Sequence, residues 1–338
     1  LGLDLTYYQQ TTKDQILSLP LSQSTGYKRA VINAGEIANK GIEASLSFVP
    51  VKTKNFTWDA SVNFAKNDNE VVKLHDEVKD FELASARWAN ASIYASEGQP
   101  YGVIVGKKLK RTEKGDVIFE NGLPTFDDKV SVLGNGNYDF TLGFRNAFNY
   151  KNLSMSVLFD MKFGADIYSM SAMQSHVNGT SKETLEGRQE WYSSEQKRQS
   201  AGVPAGNWIA TGGYVGKGVM AIKNDDGEMI YVPNNVCVDP AKYWQALQTT
   251  SPEPFIYDNS FVKLREISLS YNCPKKWFVH TPIESITLSA YGRNLLLIYS
   301  NVDNIDPESS YNNGNGQGFE YGSLPSRRTF GFGINVKF

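Results

Sequence analysis

The chain has 338 residues, enough for two ordinary soluble domains or one large barrel. Its formal net charge is −2 with no basic block, which removes electrostatic support for nucleic-acid binding. Hydrophobic residues make up 41%, yet no stretch approaches the roughly 18 consecutive apolar residues of a membrane-spanning helix, so a helical membrane protein is excluded.

The residues 1–9 alternate weakly, with Leu1, Leu3, Leu5 and Tyr7 on one face of a predicted strand. No charged and apolar leader precedes them, which leads us to expect a chain that is not exported or whose numbering begins inside a longer polypeptide. After a polar stretch, 41–49 alternates through Ile42, Ala44, Leu46 and Phe48, and 57–66 through Trp58, Ala60, Val62 and Phe64. A short turn joins these two predicted strands as a hairpin. Residues 67–137 are long and mixed, with Asn121-Gly122 predicting a small hairpin inside them.

The pattern returns at 138–148, where Tyr138, Phe140, Leu142, Phe144 and Phe148 share a face. Across Asn149-Tyr150-Lys151-Asn152 the parity switches, and Leu153, Met155, Val157, Phe159 and Met161 become the apolar set. That is a tight hairpin with one apolar and one wet face. Residues 162–260 are irregular and Gly-rich, with predicted helices around 182–199 and 240–248; a connection this long in a compact domain is usually functional. Strands are predicted again at 261–273, 285–294 and 329–338, the last carrying Phe330, Phe332, Ile334, Val336 and Phe338. Ten such residues suffice for a tilted strand to cross a bilayer.

Eight strands result, and their connections alternate between long and short. A sandwich has no reason to keep that rhythm, whereas an outer-membrane barrel has short periplasmic turns and long extracellular loops. The expected fold is all-β: a transmembrane antiparallel β-barrel with long extracellular loops. Tyr150, Tyr271 and Trp277 then fall at the periplasmic strand ends, where an interfacial aromatic girdle belongs. Cys237 and Cys273 fall at opposite ends of the barrel, too far apart to bond, and are expected as free thiols.

An ordered set of pieces then carries a family likeness. They are Asn39-Lys40-Gly41-Ile42-Glu43, Glu97-Gly98-Gln99-Pro100-Tyr101-Gly102, Gly134-Asn135, Phe261 to Tyr271 with Pro274, Tyr291-Gly292-Arg293-Asn294-Leu295, Asp306-Pro307-Glu308, and Leu324-Pro325-Ser326-Arg327-Arg328-Thr329-Phe330-Gly331-Phe332-Gly333 with terminal Phe338. Together they resemble the C-terminal region of SusC/RagA-type TonB-dependent transporters of Bacteroidetes. The resemblance implies a 22-strand barrel filled by an N-terminal plug, a SusD-like surface lipoprotein as partner, and import of glycans or peptides energised through TonB. It implies that 1–338 is the C-terminal, roughly eight-strand part of that barrel, with the plug and the TonB-contacting segment lying upstream. It also implies that Phe330, Phe332 and Phe338 form a terminal aromatic signature read by the outer-membrane assembly machinery.

The remaining constellations are weighed against plain packing. His75, His176 and His280 lie far apart outside any zinc or catalytic motif and read as surface or loop histidines; no GxSxG or Cys–His pairing suggests an enzyme. No cofactor is expected, save that Asp303, Asp306 and Glu308 suit a loop calcium ion. Asp59, Asn63, Asp139, Arg145, Asp160 and Arg293 are expected to face the lumen or plug. Trp191, Tyr192, Trp208, Tyr214, Trp244, Tyr311, Phe319 and Tyr321 are candidates for substrate or lipoprotein contact, with packing inside large loops as the equal alternative. A surface-exposed β-sheet adhesion protein and a passive porin are the competing readings.

Overall fold

A computed structural model describes the chain apart from residues 21–25, 27–28, 34, 76–77, 87–89, 225, 310 and 313, and without the side chains of 17–20 and 29–33. Eight long strands form one antiparallel sheet in sequence order: β1 (Gly2–Thr12), β2 (Glu36–Lys52), β3 (Phe56–Lys73), β4 (Phe140–Tyr150), β5 (Leu153–Phe163), β6 (Phe261–Asn272), β7 (Ser285–Ser300) and β8 (Thr329–Lys337). These are the eight strands expected. Among the described residues β1 pairs only with β2 and β8 only with β7. Among the described residues no helix is long and apolar enough to cross a membrane.

The register keeps one apolar face continuous across the sheet. Leu5 lies opposite Ala44, Ala44 opposite Phe64, Phe64 opposite Leu142, and Leu142 opposite Met161. Beyond them Met161 meets Val262, while Leu269 meets Ala290 and Ala290 meets Phe332. A period of two places every second residue on this face, and the tight turn at Lys151, with φ +51°, holds the parity switch between β4 and β5. Side chains here are bare: Leu5 is 67% and Phe332 87% exposed. A soluble sheet buries such a face on a second layer, whereas a membrane barrel turns it to lipid.

Strands β2, β3 and β7 run longer than alternation indicated. The extension of β3 from Asn67 to Glu70 is polar on both sides, so it carries no period-two signal. The three short connections, 53–55, 151–152 and 273–284, fall at one end of the sheet and are stitched together by backbone bonds. Lys151 donates its N–H to Asn55 at 2.9 Å, Asn272 to Asn152 at 2.9 Å and Glu284 to Lys337 at 2.7 Å.

The best-buried apolar core lies in the long connections at the other end. Ile93, Ile104, Tyr168, Met170, Met173, Trp244, Leu247, Phe255 and Phe319 form one cluster drawn from three of the long connections. Hydrophobic burial therefore welds those loops into one body. Two further small sheets serve it, one of them including Ala91–Ser96 and Val103–Leu109. The Asn121-Gly122 hairpin forms as expected, between Ile118–Glu120 and Leu123–Pro124, with φ +51° and +77° at its two turn residues.

The helical stretch expected at 182–199 is broken. A 3-10 turn at Lys182–Leu185 is separated from α2 (Arg188–Ser200) by Gly187, whose φ of +77° and contact with the Tyr214 backbone leave no room for a Cβ. The second expected helix is α3 (Pro240–Thr250), capped by Asp239 accepting from the Ala241 N–H. Sequence alone missed α1 (Met170–Val177), a two-turn helix with Met170 and Met173 in the loop core.

Candidate functional site

The site grows from a parity break in β6. Val262 and Leu264 lie on the apolar face, and so do Ile267 and Leu269, although the two pairs have opposite parity. The register with β5 shifts between Leu158 and Phe159, leaving Arg265 as the extra residue of a bulge. A bulge lets two successive side chains turn to one side. Both then find partners on the polar face: Arg265 bonds Asp160, and Glu266 accepts from Arg293 Nε at 2.7 Å. The facing strand β7 is irregular at the same place, where Asn294 has φ +51° and its Oδ1 accepts from Arg265 Nη1 at 2.7 Å.

Around this bulge stands a cluster of six charged groups. Arg265 grips Glu308 with two parallel bonds, Nη1 to Oε2 at 2.8 Å and Nη2 to Oε1 at 2.7 Å. Its Nη2 also bonds Asp160. Lys263, whose side chain is 5% exposed, donates to Asp306 Oδ1 at 2.6 Å, Glu308 Oε2 at 2.7 Å and Ser326 Oγ at 3.2 Å. Asp306 further accepts from the backbone N–H of Ser326 and of Glu308. Lys162 approaches Glu308 at 4.0 Å. Three cations face three carboxylates, so the buried charges are compensated.

Burial alone would raise the Asp306 and Glu308 carboxyls. The hydrogen bond from Lys263 to Asp306 and that from Arg265 to Glu308 override it and hold both below the usual carboxylate range. Tyr138, just before β4, is pushed the other way by burial and by nearby Glu308, Asp160 and Asp306, so its phenol keeps its proton. The cluster thus ties the connection 301–328 to the polar face of the sheet.

That geometry bears on the calcium expectation. Asp306 and Glu308 spend their oxygens on Lys263, Arg265 and backbone N–H groups. Among the described residues no three His, Cys, Asp or Glu side chains gather as a metal site. The ammonium of Lys263 and the guanidinium of Arg265 lie directly beside these two carboxylates.

Of the residues expected on the lumen side, Asp160 joins the cluster and Arg293 pairs with Glu266. Asn63 Oδ1 accepts from Ser45 Oγ at 2.8 Å, and Arg145 Nε donates to Ser156 Oγ at 3.0 Å, both pairs crossing between strands on the polar face. Asp59 lies opposite Ala147 on that face, and Asp139 sits at the end of β4, donating its N–H to the Phe163 carbonyl. Sequence reasoning missed Lys263, Arg265 and Glu266. The signal was present: two adjacent charges at the point where the alternation of β6 changes parity.

The loop aromatics divide. Phe319 is fully buried and Trp244 is 8% exposed; both belong to the loop core, the packing alternative. Tyr311 packs edge-on against Phe319, and Tyr214 packs at a tilt against Tyr243 with ring centroids 4.4 Å apart. Trp208 Nε1 bonds Ser194 Oγ at 3.1 Å. Trp191 and Tyr192 line a groove with His176 and Trp244, while Tyr321 is partly open to solvent. His176, expected on the surface or in a loop, lies in the long connection after β5 and is buried there against Trp244, with Nδ1 on the Ala172 carbonyl and Nε2 on Glu183. On the apolar face, Phe330, Phe332 and Phe338 are exposed. At the short-turn end, Tyr150 and Trp277 are exposed, and Tyr271 packs 6.4 Å from Trp277. Both cysteines are free.

No family model matches the chain. The chain is 27% identical over 372 residues to TonB-dependent receptor P3 of Formosa agariphila, a similarity that covers 100% of this chain and 32% of the relative. TonB-dependent receptor SusC of Bacteroides thetaiotaomicron is 26% identical over 165 residues, covering 44% of this chain and 16% of SusC. Among solved structures, that of the RagAB peptide transporter superimposes with a TM-score of 0.65 at 17% identity, over 99% of this chain and 33% of that chain. The chain spans about a third of the length of the full-length matches, 32% and 33%. The expected resemblance is therefore found along the whole chain, and its antiparallel β-barrel fold is that of the matched third of the RagAB structure. The two sequence relatives are named TonB-dependent receptors and the structural one a peptide transporter.

Proposed function

We propose that this chain forms part of the barrel of a TonB-dependent importer that carries oligomeric nutrients across a bacterial outer membrane. The observation that supports this best is the sheet itself. Its apolar face stays in register over eight strands, its other face is polar and ion-paired, and three of its long connections pack together at one end. Such a wall separates lipid from a wet lumen.

In this reading a plug and further strands outside 1–338 complete the barrel, the long connections lie outside the cell, and a SusD-like lipoprotein docks on them as a lid. Glycan and peptide are the two substrate classes. The test is made in the native host. Fractionation places the protein in the outer membrane, soluble only in detergent, and deletion of TonB abolishes uptake of its nutrient. Recovery in the soluble fraction would favour the adhesion reading. Uptake that survives loss of TonB would favour a passive porin.

A further inference from the structure

The short-turn end of the sheet carries charge of one sign. Its three turns and the strand ends beside them hold Lys52, Lys54, Lys151, Lys275, Lys276 and Lys337, all exposed. One carboxylate side chain answers them: Glu284, which pairs with Lys337 at 3.2 Å. The whole chain has 34 Lys and Arg against 36 Asp and Glu; with six cations and one carboxylate here, this rim carries +5 and the remaining residues −7. The ammonium groups of Lys52, Lys54, Lys275 and Lys276 make no hydrogen bond or ion pair among the described residues. Lys151 Nζ lies 5.3 Å from the centroid of the Tyr150 ring.

The fold brings these charges together. Backbone bonds from Lys151 to Asn55 and from Asn272 to Asn152 hold the three turns side by side. Neighbouring strands lie about 4.8 Å apart, so the six strands β2 to β7 spread the lysines along a rim of about 24 Å. Like charges gathered on one edge set up a field that attracts anions.

What lies next to the lysines indicates which anion. The last row of the apolar face at this end runs Phe56, Tyr150, Leu153, Tyr271, Leu288 and Ile334, each opposite the next across β3 to β8. Trp277, 61% exposed, packs on Tyr271. Lys54 stands two residues before Phe56, Lys151 directly after Tyr150 and Lys276 directly before Trp277. Aromatic rings beside a lipid-facing band mark the headgroup level of a bilayer, so these ammonium groups stand where lipid phosphates lie. We propose that this rim is a binding surface for anionic phospholipid headgroups of the periplasmic leaflet, a reading that rests on the membrane-barrel importer. Clustered lysines at a membrane edge select anionic over zwitterionic lipid by charge, and salt screens the effect.

The test uses the protein purified from outer membranes and reconstituted in phosphatidylcholine vesicles with a trace of spin-labelled phosphatidylglycerol or phosphatidylethanolamine. The fraction of each label immobilised at the protein surface gives their relative affinity. Phosphatidylglycerol is expected to be preferred about threefold, less in high salt. The preference should vanish when Lys52, Lys54, Lys151, Lys275 and Lys276 are all changed to Gln, and persist when Lys108, Lys110, Lys114, Lys129 and Lys242 of the long connections are changed instead. Should the five-turn variant not assemble, Lys275→Gln with Lys276→Gln, in the 3-10 turn outside the sheet, carries the test by lowering the preference. Equal affinity for the two lipids, or a preference that survives in the turn variant, overturns the lipid surface and leaves TonB-dependent uptake standing. Polyglutamate that binds the wild type in detergent but not the turn variant, with no lipid preference, also overturns it and gives the rim to an acidic periplasmic partner. Lipid selection in a protein whose uptake survives loss of TonB supports the surface while removing the importer reading.

Discussion

Arg265 and Glu308 meet as fork on fork, with two bonds of 2.8 and 2.7 Å joining a strand of the sheet to a loop 43 residues away. This pair, with Lys263 and Asp306 beside it, makes the connection 301–328 part of the wall rather than a free loop. It also gives a physical reason for two separated pieces of the family likeness. Asp306-Pro307-Glu308 supplies the carboxylates, and the segment from Phe261 supplies the cations that hold them.

Replacing Arg265 tests that link. Arg265→Lys keeps the charge but cannot make two parallel bonds, and Arg265→Met leaves Asp160 and Glu308 uncompensated. Breaking a fully buried pair costs about 3–5 kcal/mol; with both side chains near a quarter exposed, we expect on the order of 2 kcal/mol for Arg265→Met and less for Arg265→Lys. Limited proteolysis should show new cleavage within 301–328 in the same order. Equal resistance in all three proteins would mean that the loop is held by its apolar contacts alone.

The acid response of this loop follows from the lowered carboxyls of Asp306 and Glu308. A depressed folded-state pKa adds stability above the ordinary carboxylate value, and that stability is lost as pH falls through the folded-state value. Cleavage of the loop at pH 5 should therefore match that at pH 7, and should rise only below about pH 4, where free carboxyls titrate. Asp306→Asn should flatten this dependence. A loop that loosens between pH 7 and 5 would show that other groups control it.

Asn146 is a polar residue on the apolar face, and Trp58 Nε1 donates to its Oδ1 at 3.1 Å. Trp58→Phe removes the donor and orphans the amide where no water replaces it, at a cost of about 1–3 kcal/mol. Asn146→Leu removes both needs at once and should be close to neutral. Urea unfolding in lipid vesicles would rank the two. Equal losses would mean that the ring packing of Trp58 on Phe148, and not the hydrogen bond, matters there.

The two faces should differ in their tolerance of charge. Val62 sits between Leu46 and Phe144 on the apolar face, and Asn63 between Ser45 and Gly143 on the polar one. Val62→Arg should cost about 2–4 kcal/mol at mid-bilayer depth and slow assembly. Asn63→Arg should assemble normally, as read by heat-modifiable gel mobility. Equal tolerance at both positions would argue against a lipid-facing side.

The sequence alone determined the eight strands, the face of most of their residues and the short-turn end, because strand geometry converts a period of two directly into sides. It also carried the free thiols and the small Asn121-Gly122 hairpin, whose turn chemistry is local. Tertiary structure decided what local signals do not encode. The break at Gly187 depends on the Tyr214 backbone, and the burial of His176, Trp244 and Phe319 depends on loops that meet across long separations. The partners of Lys263 and Arg265 were hidden for the same reason. An ion pair is a matter of position in space, and the carboxylates that answer these cations lie on a distant loop, not at any fixed spacing along the chain.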